Sequence, residues 1–330
     1  MELTLAGAAE RLNAADRILI LSHHFPDGDT LGSASALCRA LRKLGKTVSF
    51  RCSDTIPGKF TFLFDGLEDV FYPLPEGFTP DLIVSVDVAD VELLGALREE
   101  YEGKVDLSID HHGSHRAFAK WTCVDARAAA CAEILFRLIP LLGVTFDRKM
   151  AACIYTGITT DTGCFRYRNT TADSLRIAAE MMEYGIDAAE INFRMFETKT
   201  RARLEMERLV LDSAEFFCGG KAVMMAVTQE MIAKTGAKDE DLDGISAIPR
   251  RVEGVLAGIT MREKEDGNFK VSVRSNPPVS ACEICAVLGG GGHPGAAGCT
   301  VEGPFVSACR TVRKVVEQYM EKLSCSTAAH

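Results

Sequence analysis

From residue 17 the chain alternates short apolar runs with amphipathic stretches. "RILILS" precedes "SASALCRALRKLG" and "TVSFRC", "DLIVSVDV" precedes "VELLGALREEY", and "KVDLSID" follows. Apolar runs of strand length that alternate with helical periodicity predict βαβ units and a largely parallel sheet. Helical periodicity then takes over in "AACAEILFRLIPLLG", "DRKMAACIYTGITTD" and "TADSLRIAAEMMEYG". The first and third end at Gly143 and Gly185, residues suited to the left-handed position after a helix.

A charged helical stretch, "FETKTRARLEMERLVLDSAEFF", separates this pattern from a different one. "KAVMMAV", "GVLAGITMRE" and "FKVSVRS" read as strands and "PVSACEICAVLGG" as a helix. A glycine-rich loop follows, and "VSACRTVRKVVEQYMEKL" reads as a closing amphipathic helix. The expected fold class is α/β: a parallel-sheet first domain over 1–190, a helical linker over 191–215 and a smaller α/β domain over 216–330. No internal repeat or low-complexity segment is present.

Bulk properties narrow the function. The 330 residues are 47% hydrophobic and 25% charged, enough for two domains with their own cores. A net charge of −9 argues against holding long nucleic acid through a diffuse basic surface, because such binding needs many Lys or Arg contacts to phosphate. A small anionic substrate gripped by a few cations remains open. Twelve cysteines at scattered spacings, with charges early in "MELTLAGAAERLNAADR", lead to the expectation of a reducing cytoplasm. No run reaches the roughly 18 to 20 apolar residues of a membrane-spanning helix.

The candidate chemistry sits where strands should end, the usual place for functional groups in an open α/β sheet. His23, Asp27 and Asp29 follow the first strand, Asp87 follows "LIVSV", and Asp110, His111 and His112 follow "VDLSI"; Asp161 closes a helix in "GITTDTGCFR". Each has an ordinary reading alone: Asp27-Gly28-Asp29 suits a turn and a helix cap, Asp87 a cap, and His111-His112 a structural and an exposed histidine. Together these readings fail, since carboxylates converging from separate strand ends repel unless a cation lies between them. Carboxylates with two histidines and no cysteine suit Mn²⁺ better than structural Zn²⁺ or Mg²⁺, and Co²⁺ accepts the same mixture. These candidate ligands exceed the needs of one ion; two ions about 3.5–4 Å apart are the usual apparatus for displacement at phosphorus.

These residues carry a resemblance. "HHFPDGDTLGS", "VDVAD", "DHH" at 110–112 and "TDTGCFRY" resemble, in order, the four motifs of the DHH-family phosphoesterases, and "GGGGHPGAAGC" resembles the signature of their associated C-terminal substrate-binding domain, as in the nanoRNase and RecJ-like branches. The resemblance implies that His23, Asp27 and Asp87 hold one Mn²⁺ and that Asp29, Asp87, His111 and Asp161 hold a second, with Asp87 bridging; Co²⁺ and Mg²⁺ are the alternatives. It implies His112 as a catalytic donor beside the scissile phosphate, with Asp110 orienting the neighbouring histidines. In the second domain it implies substrate binding by Arg274, Ser275, the glycine nest Gly290, Gly291 and Gly292, His293 and Arg250. Arg166 is open between a cleft-facing role and a structural ion pair, and Cys282 and Cys285 are read as core packing.

The activity so implied is hydrolysis of very short RNA to nucleoside monophosphates and of adenosine 3′,5′-bisphosphate (pAp) to AMP. Linear or cyclic dinucleotides (pApA, c-di-AMP) are the nearest alternative substrates, and a non-catalytic nucleotide sensor the alternative of another class. Long duplexes and membranes are not expected partners; a homodimer is implied by the resemblance alone.

Overall fold

The computed structural model describes residues 1–70 and 77–327, which divide into two units, Met1–Thr198 and Lys199–His330. In the first unit five strands, β1 (Arg17–Leu21), β2 (Thr47–Arg51), β3 (Leu82–Val86), β4 (Leu107–Asp110) and β5 (Trp121–Val124), form a sheet in the order β2-β1-β3-β4-β5. All its pairs are parallel, with Leu19 opposite Ile83 and Ser85 opposite Ser108. The chain leaves β1 for β2 on one side and returns as β3 on the other. That reversal opens a crevice at the carboxyl ends of β1 and β3, the place where open α/β sheets bind ligands.

Both faces of the sheet are covered, which is why its strands are continuously apolar rather than alternating. Ile18, Ile20, Val84 and Val86 pack into the larger core, and Leu19 and Leu21 into a smaller one with Val88, Leu94 and Tyr101. The helices α1 (Leu5–Ala14), α2 (Gly28–Lys43), α3 (Cys131–Leu141), α4 (Arg148–Asp161) and α5 (Ala172–Glu183) supply much of the rest. The stretch 91–101, expected as one amphipathic helix, is instead a 3₁₀ segment Val91–Leu97 followed by the single turn Arg98–Tyr101. Gly95 breaks it at φ 58°, ψ −130°, and a Cβ there would lie 2.7 Å from Ser53 Oγ and 2.9 Å from His24 Cβ.

α2 and α4 cross so closely that the seam admits only glycine. A Cβ on Gly32 would stand 2.5 Å from the Cys153 carbonyl oxygen, one on Gly28 2.4 Å from Thr160 Oγ1, and one on Gly157 2.8 Å from Asp29 Oδ1. Asp29 lies near the start of α2 and Asp161 ends α4, so this seam sets the spacing of two candidate ligands.

The second unit is a six-stranded mixed sheet in the order β10-β11-β9-β8-β7-β6: β6 (Glu215–Phe217), β7 (Ala222–Val227), β8 (Ala257–Glu263), β9 (Phe269–Ser275), β10 (Gly291–His293) and β11 (Ala296–Val301). Only β7 and β8 run parallel. The period of two along β7 sends Ala222 and Met224 to one face and Val223, Met225 and Val227 to the other. The first face packs against α7 (Ala281–Val287) and α8 (Phe305–Thr327) through Ile284, Val312 and Val316; the second packs against α6 (Arg201–Asp212) through Met206 and Val210. Thus α6, within the stretch expected as a linker, is part of the second unit's core. Cys285 is buried in that core and Cys282 packs against it. Among the described residues no helix is long and apolar enough to cross a membrane.

A Gly32→Val substitution forces α2 away from the α4 backbone and is expected to destabilise the chain by about 2–3 kcal/mol, the range of core overpacking. A urea midpoint equal to that of the wild type would show that the helices separate freely.

Candidate functional site

The site is built on the crevice between β1 and β3. His23 follows β1, and its Nδ1 lies 2.7 Å from the carbonyl oxygen of His24. A carbonyl only accepts, so Nδ1 carries a proton and Nε2 is the atom turned inward, 3.8 Å from Asp27 Oδ1 and 3.6 Å from Asp87 Oδ2. Asp27 is the N-cap of α2, its Oδ1 accepting from the backbone N–H groups of Asp29 and Thr30 at 3.0 and 3.1 Å. Such a cap is worth about 1 kcal/mol to the helix.

Asp29 is 1% exposed, and both its oxygens are held by the first turn of α3: Oδ2 accepts from Cys131 N at 2.6 Å and Oδ1 from Ala132 N at 2.9 Å. The positive end of that helix makes a buried carboxylate tolerable here, and Oδ1 also accepts from Ser33 Oγ at 3.3 Å while Oδ2 keeps a second lone pair. A Cβ on Gly157 would stand 2.8 Å from Asp29 Oδ1, so the same glycine that permits the helix seam makes room for this carboxylate.

Asp87 occupies the centre. It ends β3 at φ 60°, 3% exposed, with Oδ1 3.5 Å from His111 Nε2 and 3.6 Å from His112 Nδ1 while Oδ2 faces His23. Oδ1 is buried without a hydrogen-bond partner. His111 Nδ1 lies 3.2 Å from the Ala128 carbonyl, which turns its Nε2 toward Asp87, Asp29 and Asp161; the last stands at 3.7 Å. The ligand atoms fall into three close groups, His23–Asp27–Asp87, Asp29–His111–Asp161 and Asp87–His111–His112. The six expected ligands thus lie near one another, His23, Asp27 and Asp87 in one group and Asp29, His111 and Asp161 in another, with Asp87 meeting the second group through His111.

Electrostatics mark this as a site short of positive charge. Burial, and then repulsion from Asp87, Asp161 and Asp27, push Asp29 well above the usual carboxylate range. Burial raises Asp161 to about 6, with Asp87 and Asp27 adding to the rise. For His23 burial favours the neutral ring, but hydrogen bonds and attraction from Asp27 and Asp87 outweigh it and raise the imidazole to about 11. Asp27 is pushed up by burial and, more strongly, down by His23 and its two backbone donors. Protons thus stand in where cations fit. The donor set and the orphaned Asp87 oxygen match divalent ions that accept mixed oxygen and imidazole ligands.

Asp110 is fully buried behind this centre and accepts three hydrogen bonds, from His111 N at 2.9 Å, His112 Nδ1 at 2.8 Å and His115 Nδ1 at 2.7 Å. Burial pushes it up, yet its bonds to His112 and His115 hold it below the usual range. The bond to Asp110 in turn raises His112 to about 8 against the effect of burial, and directs its Nε2 away from Asp110. His115 was not singled out by the motifs, although "DHHGSH" displays a third histidine. Its side chain is 7% exposed and fills the second oxygen of Asp110. Asn169, which carries no sequence signal, ties Asp161 to the loop before α3 by donating to the Asp161 and Ala129 carbonyls, both at 3.1 Å.

The loops of the site also hold strained backbone. Phe25 (φ 54°), Cys164 (φ 57°) and Phe165 (φ 60°) join Asp87 in the left-handed region, where a non-glycine residue costs about 1–3 kcal/mol. Arg166 donates to the Gly163 carbonyl and lies 5.8 Å from the Phe196 ring; among the described residues it makes no ion pair.

The expected substrate-binding residues of the second unit divide. Arg274, half-buried at the end of β9, is lowered by burial and then by nearby Arg250, and among the described residues neither guanidinium pairs with a carboxylate. Two close, unpaired guanidiniums favour an anion between them. Ser275 is placed otherwise: it is 3% exposed, and its hydroxyl donates to the Pro294 carbonyl at 2.8 Å and accepts from Ala281 N at 3.2 Å, so it anchors the chain rather than facing a ligand. Gly290, Gly291, Gly292 and His293 do not form the expected nest. Gly291–His293 is the exposed edge strand β10, paired antiparallel with β11, and a Cβ on Gly290 would stand 2.2 Å from the Gly298 carbonyl oxygen. Close backbone packing, rather than a loop's freedom, requires that glycine.

Comparison with known proteins agrees with this layout. Residues 17–158 match the DHH family N-terminal domain and residues 219–322 the DHHA1 domain. A bifunctional oligoribonuclease and PAP phosphatase from Thermus thermophilus is 37% identical over 96% of this chain and 93% of its own length; one of the same description from Bacillus subtilis is 26% identical over 87% and 90%. The crystal structure of an exopolyphosphatase-related protein from Bacteroides fragilis superposes with a TM-score of 0.86 at 25% identity, covering 97% of both chains. RecJ from Thermus thermophilus, at 18% identity and TM-score 0.58, shares the fold over 96% of this chain and 55% of its own. The chain belongs to the DHH family, and its second unit is a DHHA1 domain.

Proposed function

We propose that this protein is a metal-dependent hydrolase that cleaves very short oligoribonucleotides to nucleoside 5′-monophosphates and converts pAp to AMP and phosphate. The observation that carries the reading is the gathering of Asp27, Asp29, Asp87 and Asp161 with His23 and His111 at the β1/β3 reversal. The names of the full-length relatives support the choice of substrate. His23, Asp27 and Asp87 would hold one divalent ion and Asp29, Asp87, His111 and Asp161 a second, with Mn²⁺ best suited to this donor mixture and Co²⁺ or Mg²⁺ as substitutes. Bound there, such ions supply Lewis acidity at phosphorus and a nucleophile at neutral pH.

The chain's own groups do the rest. Raised to about 8 by Asp110, His112 carries a proton at neutral pH and presents Nε2 as a donor to a phosphate oxygen or the leaving alcohol. Asp110, held on its other oxygen by His115, keeps that imidazole from rotating. Arg274 and Arg250 would take a terminal phosphate, a grip suited to a short anionic end. A net charge of −9 leaves little to attract a long strand, so turnover should fade with substrate length.

Release of phosphate and nucleotides from pAp, pApA, c-di-AMP and RNAs of graded length, with added Mn²⁺, tests the reading. Fast release from pAp and the shortest RNAs supports it, and cleavage confined to pApA or c-di-AMP overturns it. Asp87→Asn is expected to lower kcat/KM by about 10³-fold and to reduce bound metal, read by elemental analysis; activity near wild type would remove Asp87 from the centre. His112→Ala should lower kcat by about 10²–10⁴-fold with metal content retained. His115→Ala should lower kcat about 10-fold with little change in KM, and His115→Asn, which keeps a donor, should recover most of it.

A further inference from the structure

The loop that brings His23 and Asp27 into the site also carries Phe25, which neither the metal site nor the fold uses. Its side chain is 72% exposed, among the most exposed large apolar groups of the described chain. Its backbone lies at φ 54° immediately before Pro26, a combination that bulky residues avoid and that glycine or asparagine would adopt easily. The conformation is enforced: Phe25 N donates to Asp54 Oδ2 at 2.8 Å, and Asp54 Oδ1 accepts from Ser53 Oγ at 3.2 Å. Next to it, His24 N donates to the Leu93 carbonyl at 2.7 Å, and Gly95 packs so close that a Cβ there would stand 2.9 Å from His24 Cβ. The His24 and Phe25 rings lie 4.4 Å apart, tilted by 46°.

The chain therefore holds a rigid, solvent-facing aromatic ring without burying it. Successive Cα atoms are 3.8 Å apart, so the Phe25 Cα lies within about 7.6 Å of those of both His23 and Asp27. A phosphate held at the metal ligands places the sugar and base of its nucleotide within reach of this ring. Every nucleobase offers a π-face, and an exposed aromatic that is fixed in advance gains stacking energy with little ordering cost.

We propose that Phe25 is a stacking platform for a nucleobase of the bound nucleotide, and so sets the preference for nucleotides over base-free phosphoesters. This rests on the hydrolase reading above and adds a base subsite to it. The probes are pAp against its abasic counterpart for turnover, and AMP against ribose 5-phosphate for binding by calorimetry in the presence of Mn²⁺. Wild type should prefer the base-bearing partner in each pair. Phe25→Leu, which keeps apolar bulk without a π-face, should lower that preference about 5- to 150-fold, and Phe25→Trp should keep it. Equal falls for both members of a pair, an unchanged ratio in Phe25→Leu, or no preference in wild type would overturn the proposal. Loss of turnover in the wild type with AMP preference still dependent on Phe25 would count against the hydrolase reading and leave the base subsite standing.

Discussion

Everything in the first unit answers to one electrostatic constraint: four carboxylates must share a small, largely buried volume. Among the described residues, only His23, His111 and His112 face them, too few to balance four carboxylates. The fold distributes the cost. Asp29 is placed on the N-terminus of α3, where two backbone donors and the helix dipole hold it; Asp27 caps α2; Asp161 is pinned through Asn169. Asp87 alone is left with a bare oxygen, and it stands between the two groups of ligands. The strand order creates the crevice, and the glycine seam between α2 and α4 sets its width.

Much of this was legible in the residues. A parallel sheet follows from apolar runs that lack alternation, and His23, Asp87 and His111 are visible because they stand just after such runs, whereas Asp161 closes a helix. What escaped depended on contacts distant in sequence or on backbone alone. The strand Trp121–Val124 is only four residues long, lies outside the runs that predict the sheet, and is defined by its pairing with Leu107–Asp110. Val91–Tyr101 has helical periodicity, but the approach of Ser53 and His24 demands a glycine at 95 and a conformation no helix permits. Gly290–His293 reads as a loop because glycine shows no side-chain pattern, and only the pairing with Ala296–Gly298 makes it a strand. Ser275 looks like a ligand to phosphate until the Pro294 carbonyl claims its hydroxyl. His115 is visible in the sequence, yet its importance lies in Asp110 being fully buried, which no local pattern reveals.

The second unit meets a milder demand. Its sheet is coated on one face by α7 and α8 and on the other by α6, so its strands alternate between two cores, and among the described residues Arg250 and Arg274 near the end of β9 have no carboxylate partner. The two units thus divide the charge: the first gathers negative groups, and the second keeps two positive ones unspent.

The seam at Gly28, Gly32 and Gly157 has a mechanical consequence. Helices separated by ordinary side chains can shear past one another by an ångström or two as ligands come and go. Here a Cβ on Gly32 would stand 2.5 Å from the Cys153 carbonyl oxygen and Gly28 abuts the Thr160 side chain, so sliding α2 along α4 would drive one helix into the other. The floor of the site therefore behaves as one stiff body, and the spacing of Asp29 and Asp161 persists through each catalytic cycle. Any motion that admits substrate or releases product falls to the connections above that floor.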